Sequence, residues 1–557
     1  MIYQEKDWKW YLAVPVLLAA FWLLYSPLQT DDKELYWSEG SFAAMAQEMN
    51  YMAPVNMAHG EIVPSSFPLY PLLTAVFTRE FSMPMEFSLR IISVGALVLM
   101  TLLIWETVRL SIGIHAAPIA VAMLISSNII IEKSLDGYPN MLGLLFLVAG
   151  WMFWFWLGAV RGRWNLSWIV SMFLCGLGFY TIGWAGIVYF FVPLVFMRRP
   201  LTLWPKLRRP GFYLGVIVLL SFVLLWWFPR IISNGSEVRN LSDNLMNLNE
   251  YGYHLLVFPF DVLGRFFPWT LIAWAPFCVA LQPLEVNPIF NRFLRIITIS
   301  LFFLLWLSPF TEPRDITLLA PTLSALCGSY YWIVIRRYGC LFQKILRLLP
   351  IFAITCGAII IVFFLTPAGW WRGFGFFERG ISFHDVPIYW ITAVVYGSVA
   401  VATGFYFMFM PKRFTPIWAT LLATICVIMI FFWSIVHPYN AQENSKRTLG
   451  KELRQAVEKF DTTPQYVYKG ENIAGLYSEC FYMGLKVKKL NSLAELPKNE
   501  KVVFLLSTNV PLHQSRAWGD PLVKKQYRRG ELYLYRGVLK EVPAIEIKED
   551  TSHDTIF

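Results

Sequence analysis

The residues with the clearest chemical potential lie in "LQTDDKELYWSEGSFAAMAQEM", residues 28–49, where Asp31, Asp32 and Glu34 follow directly on an apolar run. Asp31 and Glu34 stand in the spacing of a capping box, and acids at that point suit the positive end of a helix dipole. Capping requires neither Asp32 nor Glu39, which comes one and a half turns later. A carboxylate held by helix N–H groups at the boundary of water and lipid stays ionised and oriented, as a general base acting on a lipid substrate must be. Other polar side chains gather in short segments between apolar runs: Glu132, Lys133 and Asp136; His254 and Arg265 before "RFFPW"; Arg314 and Asp315 in "TEPRD"; and Arg372 with Arg379. Taken singly, each reads as a solvated loop charge or an interfacial anchor before it reads as a group with a role in chemistry. Their common side of the membrane, derived below, is what joins them.

The elements that must position these groups are membrane spans. Of 557 residues, 57% are hydrophobic and 15% charged, against roughly 45–50% and 25% in soluble domains. The net charge of +10 comes from basic residues in short groups between apolar runs, the pattern of cytoplasmic loops rather than of a nucleic-acid surface. The seven cysteines fall mostly within apolar runs and show neither a disulfide framework nor metal-ligand spacing. Lys6 and Lys9 precede the first apolar run and no small-residue cleavage site follows it, so an uncleaved first span is expected.

Runs long enough to cross a core of about 30 Å occur near 10–28, 88–109, 112–130, 138–160, 211–229, 266–281, 293–310, 316–335, 347–366, 387–410 and 415–436, and 165–197 divides into two short spans at Gly183 and Gly186. The expectation is an α-helical polytopic protein of about thirteen transmembrane helices. With the N-terminus inside, Arg161 and Arg163, the group from Arg198 to Arg209, Arg292 and Arg295, Arg336 to Lys344, and Lys412 with Arg413 all fall on the cytoplasmic side. The first external loop, 29–87, and the tail then lie outside. Residues 1–436 form the expected membrane domain. Residues 437–557, where "SKRTLGKELRQAVEKF" reads as a helix and "KVVFLLST" and "ELYLYRGVLK" as strands, form a small extracytoplasmic α/β domain. In the first loop, Leu35, Phe42, Met45, Met49 and Met52 give one apolar stripe on a helix that can lie in the interface.

Several stretches, taken in order, resemble the C-type (GT-C) membrane glycosyltransferases, in the branch of protein O-mannosyltransferases and ArnT-like lipid A aminoarabinose transferases. "DDKELYWSEGSFAAMAQEM" is similar to that branch's first-loop motif, and aligning on Tyr36 puts Asp32 at its catalytic aspartate. "EKSLDGYPNMLGLLFL" resembles the second acidic element, with Asp136 matching. "YTIGWAGIVYFFVPL", "FPFDVLGRFFPWTL" and "EPRDITLLAPTLSAL" are similar to later elements, so the likeness runs from about residue 10 to 335. Where the family often carries a lysine in the first loop, "VPSSFPLYPLL" has Ser65, Ser66 and Phe67. His254 is similar in position to a family histidine linked to a metal, but the matching Glu is missing, which puts a divalent metal in doubt.

The resemblance implies a GT-C fold and an inverting glycosyltransferase that takes a sugar from a polyprenyl-phosphate donor, such as an undecaprenyl phosphate sugar. The acceptor would be lipid A or lipopolysaccharide, a glycan, or a protein hydroxyl, at the outer, periplasmic face of a bacterial inner membrane. It implies Asp32 and Asp136 as catalytic, with Asp31, Lys33, Glu34, Tyr36, Lys133, His254, Arg265 and Arg314 binding substrate. A flippase or transporter is the rival from another class. Transporters tend to place ionisable groups near the midplane, whereas here the central thirds of most runs hold few charges.

Overall fold

The structure is a computed structural model that describes residues 10–29, 34, 35, 37–51, 56–63, 67–232, 248–366, 387–409, 416–436, 445–460, 466–470, 473, 475–490, 492–497, 500–509, 516–527 and 530–539. It divides into two compact units, Met1–Met57 with Ile62–Asn444, and Ala58–Glu61 with Ser445–Phe557.

The first unit is built almost wholly of helices, because backbone donors and acceptors have no other partners in hydrocarbon. Among the described residues, eight helical segments are long and apolar enough to cross a membrane, and ten if two bent pairs each count as one span. One of the eight, Pro313–Leu365, contains the successive helices Ala320–Ile345 and Leu349–Leu365, and Trp184–Val195 and Ala393–Phe409 are shorter apolar helices. Several helices open on proline, as Pro210–Ile232 and Pro288–Leu307 do, where the missing N–H has no helical partner to lose.

Three breaks shape the part of the unit that matters for the site. The 165–197 run splits at Gly183 into Trp164–Ile182 and Trp184–Val195, with Gly183 at φ 75°, ψ −148°, a conformation open essentially to glycine alone. The run expected as one span at 112–130 is instead two helices, Ala117–Ser126 and Asn128–Ser134, bent by 60° at Ser127. The hydroxyls of Ser126 and Ser127 donate back to the carbonyls of Ala122 and Met123, a pattern that bends helices. The run at 266–281 does not form a regular span. It follows helix Leu248–Arg265 through a 111° bend and continues as short helical pieces, because Pro268, Pro276 and Pro283 each remove a backbone donor. Buried Trp151, Trp168 and Trp269 each place the indole N–H on an acceptor, the carbonyls of Phe190 and Lys206 and the hydroxyl of Ser126.

The first-loop helix spans Trp37–Glu48. Its apolar stripe packs on protein: Ala46 and Met49 cluster with Ala75 from helix Leu69–Arg79, and Phe42 meets Tyr70 and Tyr138 edge to face. The stripe thus meets protein at Phe42 and Met49, and Met52 lies outside the described residues. Glu34 lies three residues ahead of Trp37, outside the helix, so it is not the N3 partner of a capping box there.

In the second unit, strands Val487–Lys489, Val467–Lys469, Val502–Ser507 and Gly530–Leu539 lie side by side in that order. Arg516–Trp518 and Val523–Tyr527 pair along the free edge of Gly530–Leu539. The first two pairings are parallel and the rest antiparallel. Both faces are covered at Val502–Ser507: Phe504 and Leu506 pack with Leu453 and Val457 of helix Ser445–Glu458, while Val503 and Leu505 pack with Tyr468 and Leu490. The turn at His59 and Gly60 belongs to this unit, with the Lys489 amide donating to the His59 carbonyl at 2.9 Å.

Candidate functional site

The bend at Ser127 delivers helix Asn128–Ser134 and the turn after it to the end of helix Leu248–Arg265, and the two meet through charge. Arg265 Nε donates to both carboxylate oxygens of Asp261, one turn back, at 2.9 Å. Its Nη1 lies 3.3 Å from Glu132, whose other oxygen is 2.6 Å from Lys133 Nζ. Lys133 Nζ lies 3.4 Å from Asp136. Five side chains therefore form one run of ion pairs, Asp261, Arg265, Glu132, Lys133 and Asp136. All are partly exposed, and pairs of that kind contribute about 0–1 kcal/mol each. Their effect is to hold two cations, Arg265 and Lys133, between carboxylates on a partly exposed surface.

Arg314 approaches the same turn from the segment 311–319. Its guanidinium lies 3.8 Å from the ring centre of Tyr138, two residues beyond Asp136, and pairs with Glu312. Glu312 and Asp315 cap the short helix Pro313–Leu319 reciprocally, and Thr317 Oγ1 donates to the Arg314 carbonyl at 2.8 Å. The planar head is thus held over an aromatic face, where a cation gains from the ring quadrupole.

His254 sits on helix Leu248–Arg265 with Nε2 3.3 Å from the Leu305 carbonyl and its ring against Phe258. It lines a cavity of about 540 Å³ whose walls are Tyr253, Val257, Phe258, Pro313 and Ile316, with Glu250, Asp261, Thr311 and Glu312 as its polar members. Asp261 and Glu312 belong at once to this cavity and to the ion pairs of Arg265 and Arg314. A mostly apolar chamber therefore opens beside clustered cations.

Of the residues singled out by sequence, Lys133 and Asp136 are paired directly, Glu132 links Lys133 to Arg265, Arg314 faces the turn that carries Asp136, and His254 lines the adjoining cavity. Glu34 is reached through its backbone: Arg90 Nη2 donates to its carbonyl at 3.2 Å. Asp31, Asp32, Lys33 and Tyr36 lie outside the described residues, as do Ser65, Ser66, Arg372 and Arg379. Among the described residues no group of three or more His, Cys, Asp or Glu side chains is arranged to hold a metal ion.

Sequence reasoning left out Asp261 and Glu312, and it placed Glu39 on a helix against lipid. Glu39 is 2% exposed and paired with Arg90 at 3.2 Å. A signal was present in "SLRIISV", where Arg90 interrupts an apolar run; a cation there requires a buried partner.

The sequence profile of the family described as dolichyl-phosphate-mannose-protein mannosyltransferase matches residues 63–227. A search of curated protein sequences gave no match. Among solved structures, ArnT from Cupriavidus metallidurans bound to undecaprenyl phosphate superposes with a TM-score of 0.66 at 16% identity, covering 94% of this chain and 97% of that one. The apo form of the same protein gives a TM-score of 0.66 at 15% identity with the same coverage.

Proposed function

From a chain with the GT-C fold of the ArnT and protein mannosyltransferase kind, we propose a membrane glycosyltransferase that moves a sugar from a polyprenyl-phosphate donor to an acceptor hydroxyl or phosphate, with inversion. The observation that carries this reading is the shared wall of the apolar cavity and the charge cluster, at Asp261 and Glu312. A polyprenyl tail seats against Val257, Phe258 and Ile316, and its phosphate then meets Arg265, Lys133 and Arg314 at the rim. The phosphate takes the place of the carboxylates that hold these cations in its absence.

In the transfer step the acceptor oxygen attacks the anomeric carbon, the bond from that carbon to the phosphate oxygen breaks, and the acceptor's proton passes to a carboxylate, Asp32 in this proposal. Negative charge grows on the departing phosphate, and fixed cations stabilise it more than they stabilise the intact donor. Asp136, tethered to Lys133, orients that lysine or the sugar. The acceptor class is lipid A or another lipid-linked glycan, or a protein hydroxyl, at the outer face of a bacterial inner membrane.

The test is release of polyprenyl phosphate from a polyprenyl-phosphate sugar by the purified full-length protein, with no ion gradient present. Turnover is expected with the native chain and is expected to vanish in Asp32→Ala while membrane expression stays intact. Turnover at a native rate in Asp32→Ala would remove that residue from the chemistry. Movement of the intact donor across a bilayer, with no release, would favour a flippase instead.

A further inference from the structure

Glu39 and Arg90 lie apart from the exposed ion pairs, and between them they touch both segments that carry the proposed catalytic acids. Glu39 Oε1 accepts the backbone N–H of Gly137 at 2.5 Å, and Oε2 accepts from Arg90 Nη2 at 3.2 Å. The same Arg90 nitrogen donates to the Glu34 carbonyl at 3.2 Å. Gly137 follows Asp136, and Glu34 follows Asp32 and Lys33. The close approach needs glycine, since a Cβ at 137 would stand 2.8 Å from Leu89 Cβ and 3.1 Å from Glu39 Oε1. Further contacts leave the turn little freedom: Ser93 Oγ donates to the Tyr138 carbonyl at 3.1 Å, and the Tyr138 ring packs against both Phe42 and Arg314.

A buried ion pair is a poor way to gain stability, because desolvation offsets most of the attraction and an apolar pair of similar volume often serves as well or better. What the charge provides is direction, a fixed acceptor for one chosen N–H. We propose that Glu39 is a positioning residue, which with Arg90 acts as a strut holding the Asp136 turn in register with the acid loop. The proposal rests on the transferase reading above. It follows that the reacting groups come from two separate loops but share one buried reference point.

The experiment compares the native full-length protein with the apolar pair Glu39→Leu/Arg90→Met, with Gly137→Ala, and with the triple variant. A polyprenyl-phosphate sugar is the probe. The apolar pair is expected to melt within a few degrees of the native protein, to lose about tenfold or more in kcat, and to keep its KM for donor, as for a group that orients rather than binds. Gly137→Ala is expected to show the same split, and the triple variant to be no worse than the poorer of the two, because the bond from Gly137 N–H to Glu39 is lost in every one of them. Native kcat in the apolar pair, a loss confined to KM, or losses that multiply in the triple variant would overturn the proposal. If the apolar pair does not fold, Gly137→Ala alone decides between these outcomes, since it leaves both charged side chains in place. Hydrogen exchange at the Gly137 amide reads the strut without any turnover. Faster exchange in the apolar pair at unchanged melting supports it, and unchanged protection refutes it, even if the native protein proves not to release polyprenyl phosphate.

Discussion

At the scale of single residues, Arg314 separates charge from geometry. Its guanidinium is planar and lies 3.8 Å over Tyr138, whereas a lysine at the same place would bring a point charge with no stacked plane. Arg314→Lys is therefore expected to lower turnover by about tenfold, and Arg314→Met by about 10²–10³, with initial rates of polyprenyl phosphate release as the measurement. A native rate in Arg314→Lys would mean that the stacked plane contributes nothing, and equal rates in the two variants would mean that the charge does not. Sequence made Lys133, Asp136, Arg265 and Arg314 legible because charges between apolar runs stand out in any reading of a membrane protein. Glu39 was legible as an anomaly but not in its place. An acid on a helix with one apolar stripe has the same pattern whether the stripe meets lipid or protein, and only the partner 51 positions on, Arg90, resolves which.

At the scale of elements, the breaks matter as much as the helices. Gly183 holds φ 75°, ψ −148°, and a Cβ there would stand 2.0 Å from the ring of Phe67. Phe67 itself stacks on Trp226 and packs edge to face on Phe179. Gly183→Ala should cost about 1–3 kcal/mol in backbone strain before the ring is displaced, seen as a clear fall in melting temperature in detergent. A melting temperature equal to the native value would show that the break relaxes freely. The division of 165–197 at this glycine could be read from sequence, because no residue but glycine interrupts an apolar run so cheaply. The 60° bend at Ser127 could not, since two serines at the end of an apolar run also suit a straight span. Nor was the irregular course of 266–281 apparent, where length and apolarity satisfied the criterion for a crossing and Pro268 and Pro276 overruled it.

At the scale of the whole molecule, the second unit carries a pH dependence of its own. His59 is buried, stacks on Tyr477 at 4.8 Å, and has its pKa brought down to about 3, first by burial and then by the nearby charge of Lys469. Unfolded, it takes a proton near pH 6.5; folded, it does not until about pH 3. Between those values the unfolded state binds more protons, so the contribution of His59 to stability is complete above about pH 6.5 and shrinks steadily as pH falls toward 3. Amide exchange at Lys489, which donates to the His59 carbonyl, should accelerate over that window once corrected for intrinsic rates. His59→Asn, which tolerates the left-handed backbone at φ 58°, should flatten the dependence.

That turn also sets a condition on biosynthesis. Glu61 and Lys489, 2.8 Å apart in the finished protein, are separated by 428 positions in the chain. At roughly 5–20 residues per second, the early loop waits on the order of 20–90 seconds for the partner that completes it. A ribosome that stops before Lys489 leaves the tip of this loop without that partner.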